Sequence, residues 1–188
     1  MLLQDKICVI TGAGSGVGRS SAELFASQGA RVVVADVRDK WATGTVDLIL
    51  AAGGTAVAAH CDVSSEADVE ALVAFTVSQF GRLDVMHNNA GVSTPKPGLS
   101  FVDHTAEDWH RLLGINLMGM VHGCKHAVLQ FRRQEGGGVI VNTCSVAGIV
   151  GFGGVPYGVS KAGGVLLTKS LAIEVAKEGI RVNGIAPA

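Results

Sequence analysis

Short apolar runs rich in β-branched residues alternate along the chain with longer stretches in which apolar positions recur every three or four residues. The short runs at 7–10, 31–35, 55–61, 83–87, 139–143 and 181–186 predict strands, and the longer ones at 18–28, 40–51, 65–80, 106–132 and 156–178 predict helices. Such alternation produces a parallel sheet with helices on both faces, so the expected fold is α/β: a doubly wound parallel sheet in three α/β/α layers, forming a single domain over 1–188. Gly29, Gly53, Gly81 and Gly179 stand where a left-handed residue would stop a helix. Ser65-x-x-Asp68 and Thr105-x-x-Asp108 have capping-box spacing. One extended loop is expected over 92–104, containing Pro95 and Pro97, and Gly136-Gly137-Gly138 reads as a turn. No helical pattern follows the sixth strand, so an apolar face is expected to lie partly bare there.

Composition narrows the function classes. The 188 residues are 48% hydrophobic and 16% charged; a chain of this size can bury about 70% of its unfolded surface, so disorder is excluded. Lys+Arg 15 against Asp+Glu 16 leaves a net charge of −1, which provides no grip on nucleic acid or an anionic membrane surface. Cys8, Cys61, Cys124 and Cys144 stand singly, without zinc or redox spacing, and read as buried small hydrophobes in a reducing compartment. The N-terminal residues lack a secretory pattern and no run reaches a membrane span, so a cytoplasmic location is expected.

The 26 glycines are roughly twice ordinary usage, and four of them fall in the stretch Thr11-Gly12-Ala13-Gly14-Ser15-Gly16-Val17-Gly18 between the first strand and its helix. A turn of this kind bares backbone amides beside a helix N-terminus, where a pyrophosphate can sit. The spacing is T-G-x-x-x-G-x-G; it matches neither G-x-G-x-x-G nor a P-loop. Asp36 ends the second strand at the offset expected of a carboxylate that accepts from an adenosine ribose hydroxyl. Its charge would repel a 2′-phosphate, which favours NAD over NADP, although Arg38 could swing toward such a phosphate.

Tyr157 is the only tyrosine, and Lys161, one helical turn on, shares its face. An ammonium about 4 Å away, together with a positive nicotinamide, could lower a phenol pKa by up to about three units and poise Tyr157 as a proton shuttle. Ser145 closes the fifth strand, where ligand-binding residues of open sheets collect; it could hold a substrate oxygen or simply cap a turn.

Together these residues resemble the short-chain dehydrogenase/reductase family. The resemblance rests on Thr11-Gly12-x-x-x-Gly16-x-Gly18, Asp62-Val63, Asn88-Asn89-Ala90-Gly91, Asn116, Ser145, Tyr157-x-x-x-Lys161 and Asn183-x-x-x-Pro187, in that order over essentially the whole chain. It implies a Rossmann-like fold and an NAD(P)-dependent interconversion of a small-molecule secondary alcohol and a ketone. Tyr157 would be the acid/base, Ser145 would orient the substrate oxygen, and Lys161 would hold the nicotinamide ribose. Asn116 would place water in a proton relay through Lys161, a role compatible with an amide bridging a helix kink. Cofactor contacts are implied for Gly12, Ser15, Gly16, Val17, Gly18, Asp36, Asp62, Val63, Asn89, Ala90, Gly91, Tyr157, Lys161 and Pro187. A homotetramer built through helices 106–132 and 156–178 is also implied. Family members carry glycine where Ala188 stands, then a substrate lid and a seventh strand, so the domain is expected to lack both. Competing readings are a non-catalytic NAD-binding module, a truncated inactive remnant, and an isomerase or dehydratase that uses bound NAD catalytically.

No metal site is expected. His122 and His126 have helical metal-ligand spacing but no carboxylate between them, and read as surface or interface residues. Cys144 reads as a packed strand cysteine, and Trp41 and Trp109 as helix-surface packing.

Overall fold

The computed structural model describes residues 1–94 and 98–188. Pro95 and Pro97, expected in the extended loop, lie outside the described residues. Six parallel strands form one sheet: β1 (Ile7–Thr11), β2 (Arg31–Asp36), β3 (Thr55–His60), β4 (Val85–Asn88), β5 (Gly138–Thr143) and β6 (Ile180–Ile185), in the order β3-β2-β1-β4-β5-β6. The helices are α1 (Gly16–Ser27), α2 (Asp39–Ala51), α3 (Glu66–Phe80), α4 (Ala106–Leu113), α5 (Gly119–Phe131) and α6 (Val155–Val175). The expected doubly wound, Rossmann-like sheet is present, and its order reverses between β1 and β4.

Because strand side chains alternate, the central strands feed two cores. Cys8, Ile10, Val32 and Val34 face α1 and α2, whereas Val9, Val33, Met86 and Ile140 face α3, α5 and α6. Both sets are nearly inaccessible, which is why β1 and β2 read as continuous apolar runs. Over β5 and β6 the face opposite α6 is open and mixed: Val139 and Val141 are half-buried, while Arg181 and Asn183 are exposed. On the other face Ile180 and Val182 are buried.

Gly29, Gly53, Gly81 and Gly179 all have positive φ, as expected of left-handed stops. Thr105 makes both arms of its capping box with Asp108. Ser65 makes only one: it accepts from the Asp68 amide, but the Asp68 carboxylate turns to the Ser65 hydroxyl and the Asp62 amide. The expected continuous helix over 106–132 is instead interrupted by a π-helical turn, Gly114–Met118, between α4 and α5. Helical periodicity carries little trace of one extra residue.

Candidate active site

The sheet reversal opens a cleft of about 700 Å³ at the C-terminal ends of the strands. Its first wall is the turn after β1. Gly12 has φ +62°, and a Cβ there would lie 2.8 Å from Ala90 Cα; a Cβ on Gly18 would drive into the Gly12 carbonyl oxygen. Gly16 has φ +51° and open space before it, flanked by exposed Ser15 and Val17. The backbone therefore comes close to whatever occupies the cleft, beside the start of α1. Thr11 and Asn89 clamp the turn from beneath: Thr11 Oγ1 accepts from the Asn89 and Ala90 amides at 3.0 and 3.1 Å, and Asn89 Nδ2 donates to the Thr11 and Gly12 carbonyls.

Asp36 is buried at the end of β2 and lines the same cleft. Its Oδ2 accepts from the Gly14 amide at 2.9 Å and its Oδ1 from the Arg38 amide at 3.0 Å. Each oxygen keeps a lone pair for a ligand hydroxyl. Arg38 does not reach toward Asp36 with its side chain; its guanidinium lies 4.0 Å over the Trp41 ring. Trp41 thus departs from the plain surface packing expected of it, because it forms part of the cleft wall. Asp62 and Val63 border the cleft as well; Asp62 Oδ1 takes the Ser64 amide and hydroxyl at 2.9 and 2.7 Å.

The opposite end of the cleft brings together Ser145, Tyr157, Lys161, Gly91 and Pro187. Ser145 follows β5; its Oγ accepts from the Ala147 amide at 3.1 Å and donates to the Pro187 carbonyl at 3.4 Å, so it does cap a turn while facing the cleft. Pro156 in the first turn of α6 presets the backbone that presents Tyr157. Lys161 is only 3% exposed. Its Nζ donates to the Thr143 carbonyl at 2.8 Å and lies 5.8 Å from the Tyr157 ring centroid. Burial lowers the lysine pKa from its ordinary value.

Asn116 is the one expected site residue that does not line the cleft. It sits on the π turn, 1% exposed, where Oδ1 accepts from the Val92 amide at 2.8 Å and Nδ2 donates to the Val92 carbonyl and Ser160 Oγ at 2.9 and 3.1 Å. Ser160 in turn donates to the Tyr157 carbonyl at 2.7 Å. The amide therefore bridges the helix interruption to the loop after β4 and to the turn bearing the tyrosine. A Cβ on Gly91 would approach Asn116 Oδ1 and Lys161 Nζ to 3.3 and 3.5 Å, so the gap left by that glycine lies between the two.

Other expectations need correction. His122 and His126 are buried, not at the surface: His122 Nδ1 meets the Val63 carbonyl at 3.0 Å and His126 Nε2 meets Glu66 at 3.2 Å, because α3 packs over this face of α5. All four cysteines are buried, as expected, and burial pushes the thiols of Cys8, Cys61 and Cys124 up to about 12. Sequence reasoning overlooked Gly14, whose Cβ would lie 2.6 Å from Trp41 Cβ and 2.8 Å from Asp36 Oδ2. The available signal was a fourth glycine at an unassigned position of the turn. It also missed Val92 and Thr143: the Val92 amide and carbonyl and the Thr143 carbonyl are backbone groups that leave no mark on residue type.

The family model described as short chain dehydrogenase matches residues 6–188. Tropinone reductase-like 1 of Erythroxylum coca is 43% identical over 187 residues, covering 98% of this chain and 67% of the relative. Cyclohexanol dehydrogenase of Acinetobacter sp. (strain SE19) is 40% identical over 188 residues, covering 97% and 72%. The crystal structure of a short chain dehydrogenase from Mycobacterium smegmatis superposes with a TM-score of 0.94 at 38% identity, covering 99% of this chain and 78% of that one.

Proposed function

The chain belongs to the short-chain dehydrogenase/reductase family, oxidoreductases that bind a nicotinamide cofactor, and we propose that it is an NAD-dependent oxidoreductase interconverting a secondary alcohol and a ketone. The observation that carries this reading is the buried Lys161 ammonium, anchored on Thr143 and facing the same cleft as Tyr157 one turn away. The residues fit the cofactor. Gly12, Ser15, Gly16, Val17 and Gly18 leave a close-approach cradle for its phosphates, Asp36 offers acceptors for ribose hydroxyls, and Asp62, Val63, Asn89, Ala90 and Gly91 line the path between. Asp36, with Arg38 drawn onto Trp41, favours NAD over NADP.

When bound, the nicotinamide supplies the two-electron carrier that exchanges hydride with the carbinol carbon. The chain's own residues manage the proton. In the oxidative direction the Tyr157 oxygen takes the substrate hydroxyl proton, and in reduction it returns one to the carbonyl oxygen. Ser145 Oγ, released from the Pro187 carbonyl, orients that oxygen. Lys161 would hold the nicotinamide ribose, with Pro187 lining the same end of the cleft. Gly91, having no side chain, leaves Asn116 Oδ1 and Lys161 Nζ uncovered on its side, and Asn116 would place a relay water toward Lys161.

Substrates of the size of cyclohexanol are the first to test, given the relatives. Addition of NAD and a panel of secondary alcohols, followed by absorbance of the reduced cofactor, is expected to show turnover that Tyr157→Phe abolishes. Binding of NAD without turnover of any alcohol would overturn the reading in favour of a non-catalytic module. We extend the proposal to a homo-oligomer packed through α6, supported by Val159, Leu166 and Ile173. These are exposed by 48%, 65% and 80% at seven-residue spacing on one helix face. Light scattering that finds a dimer or tetramer is the expected result.

A further inference from the structure

His87, near the end of β4, takes no part in the chemistry above, and an aliphatic residue would suit its place in a buried strand. It is 2% exposed and stacks on Phe25 of α1 with ring centroids 6.1 Å apart. Its Nε2 lies 3.0 Å from Thr143 Oγ1, while its Nδ1 is buried with no hydrogen-bond partner among the described residues. A polar group kept at such a cost calls for a compensating role.

The surrounding hydrogen bonds fix where its proton sits. Asn89 Nδ2 donates to two carbonyls, those of Thr11 and Gly12, so the orientation of that amide is settled and Asn89 Oδ1 is an acceptor. Thr143 Oγ1 spends its single proton on Asn89 Oδ1 at 3.3 Å. Toward His87 the hydroxyl can then only accept, so the imidazole carries hydrogen on Nε2 and Nδ1 is bare. Burial, which lowers the His87 pKa to about 4, keeps the ring neutral.

Thr143 is where the two ends of the cleft meet. The β4–β5 ladder ends at the pair Asn88 and Asn142, and beyond it the chains part. Across that gap the Thr143 hydroxyl reaches Asn89 and, through it, the turn at Gly12, while the Thr143 carbonyl holds Lys161 Nζ. We propose that His87 is a positioning residue, whose Nε2–H fixes Thr143 so that the glycine turn and Lys161 are held at the spacing one dinucleotide requires. This rests on the reading that the cleft takes a nicotinamide dinucleotide.

The test compares the full chain with His87→Met, His87→Gln and Thr143→Val, measuring NAD binding by calorimetry and unfolding temperature on the same samples. His87→Met removes the donor and the orphaned nitrogen together. It is expected to bind NAD about three- to tenfold more weakly while unfolding at the same or a higher temperature than wild type. His87→Gln, whose amide nitrogen reaches the same place, is expected to restore binding to within about twofold. Adding His87→Met to Thr143→Val should weaken binding no further. Met and wild-type chains that bind NAD alike, weakening that tracks lost stability, or a Gln variant that fails to restore binding would overturn the inference and leave the dinucleotide reading standing. A wild-type chain that binds neither NAD nor NADP would overturn that reading and the inference with it. Independently of any variant, the ¹⁵N shifts of labelled His87 must show hydrogen on Nε2; a proton on Nδ1 would sink the proposal.

Discussion

The two halves of the cleft are built from different materials. On β1 and β2 the strands are apolar almost to their ends, and recognition is left to backbone: a turn whose glycines forbid side chains, and one carboxylate held by two main-chain amides. On β4 and β5 buried polar side chains stand within or just beyond the strands themselves. His87, Asn88 and Asn142 lie there, and His87 Nδ1 and Asn88 Oδ1 are both unpartnered among the described residues. The first half is shaped by what is absent. The second spends stability to hold particular atoms, as sites of chemistry commonly do.

The largest effect that would break this contrast is on turnover. Tyr157→Phe is expected to lower kcat by about 10²- to 10⁴-fold while leaving NAD affinity within a few-fold, as read by steady-state kinetics beside calorimetry. A substitution in the β1 turn should do the reverse.

Acid comes next. His87 resists protonation when folded, at about 4 against 6.5 unfolded, so the unfolded chain binds the extra proton first. Stability is therefore full above pH 6.5 and falls toward pH 4, by up to about 3 kcal/mol from this residue. Denaturant titrations of wild type and His87→Met should start level or with the variant ahead near neutral pH and separate further as pH falls, the variant losing less.

On the other half, Asp36→Ala is expected to raise the NAD dissociation constant by about ten- to a hundredfold and to erase discrimination against NADP, with kcat at saturation little changed. The smallest test lies within the turn itself. Gly18→Ala, which meets the Gly12 carbonyl, should cost about 1–3 kcal/mol of stability. Gly16→Ala meets nothing and should cost only the strain of its positive φ, about 1–2 kcal/mol.

The contrast also explains which parts of the molecule were legible beforehand. The strands, the glycine stops and the Tyr157, Lys161 and Asp36 positions announce themselves, because apolar period, backbone freedom and titratable chemistry are written in residue type. The role of Thr143 could not be read the same way: what matters is a carbonyl, which every residue has, and a hydroxyl whose partners lie more than 50 positions away. The π turn and the burial of His122 and His126 were hidden for a related reason. Each depends on which neighbour lies across the interface, and a helical pattern in one segment does not specify that.

The interruption at Gly114–Met118 gives this region a tolerance of one particular change in length. A π turn holds one residue more than the α turn it replaces, so dropping a single codon there would let the backbone close into an uninterrupted helix while Met120, Cys124, Ala127 and Phe131 keep their inward direction. A codon dropped well inside α5 has no such slack, and the positions beyond it would rotate by about 100°. In a library of insertions and deletions, single deletions at 114–118 should therefore disturb the packing of α5 less than single deletions within α5 itself.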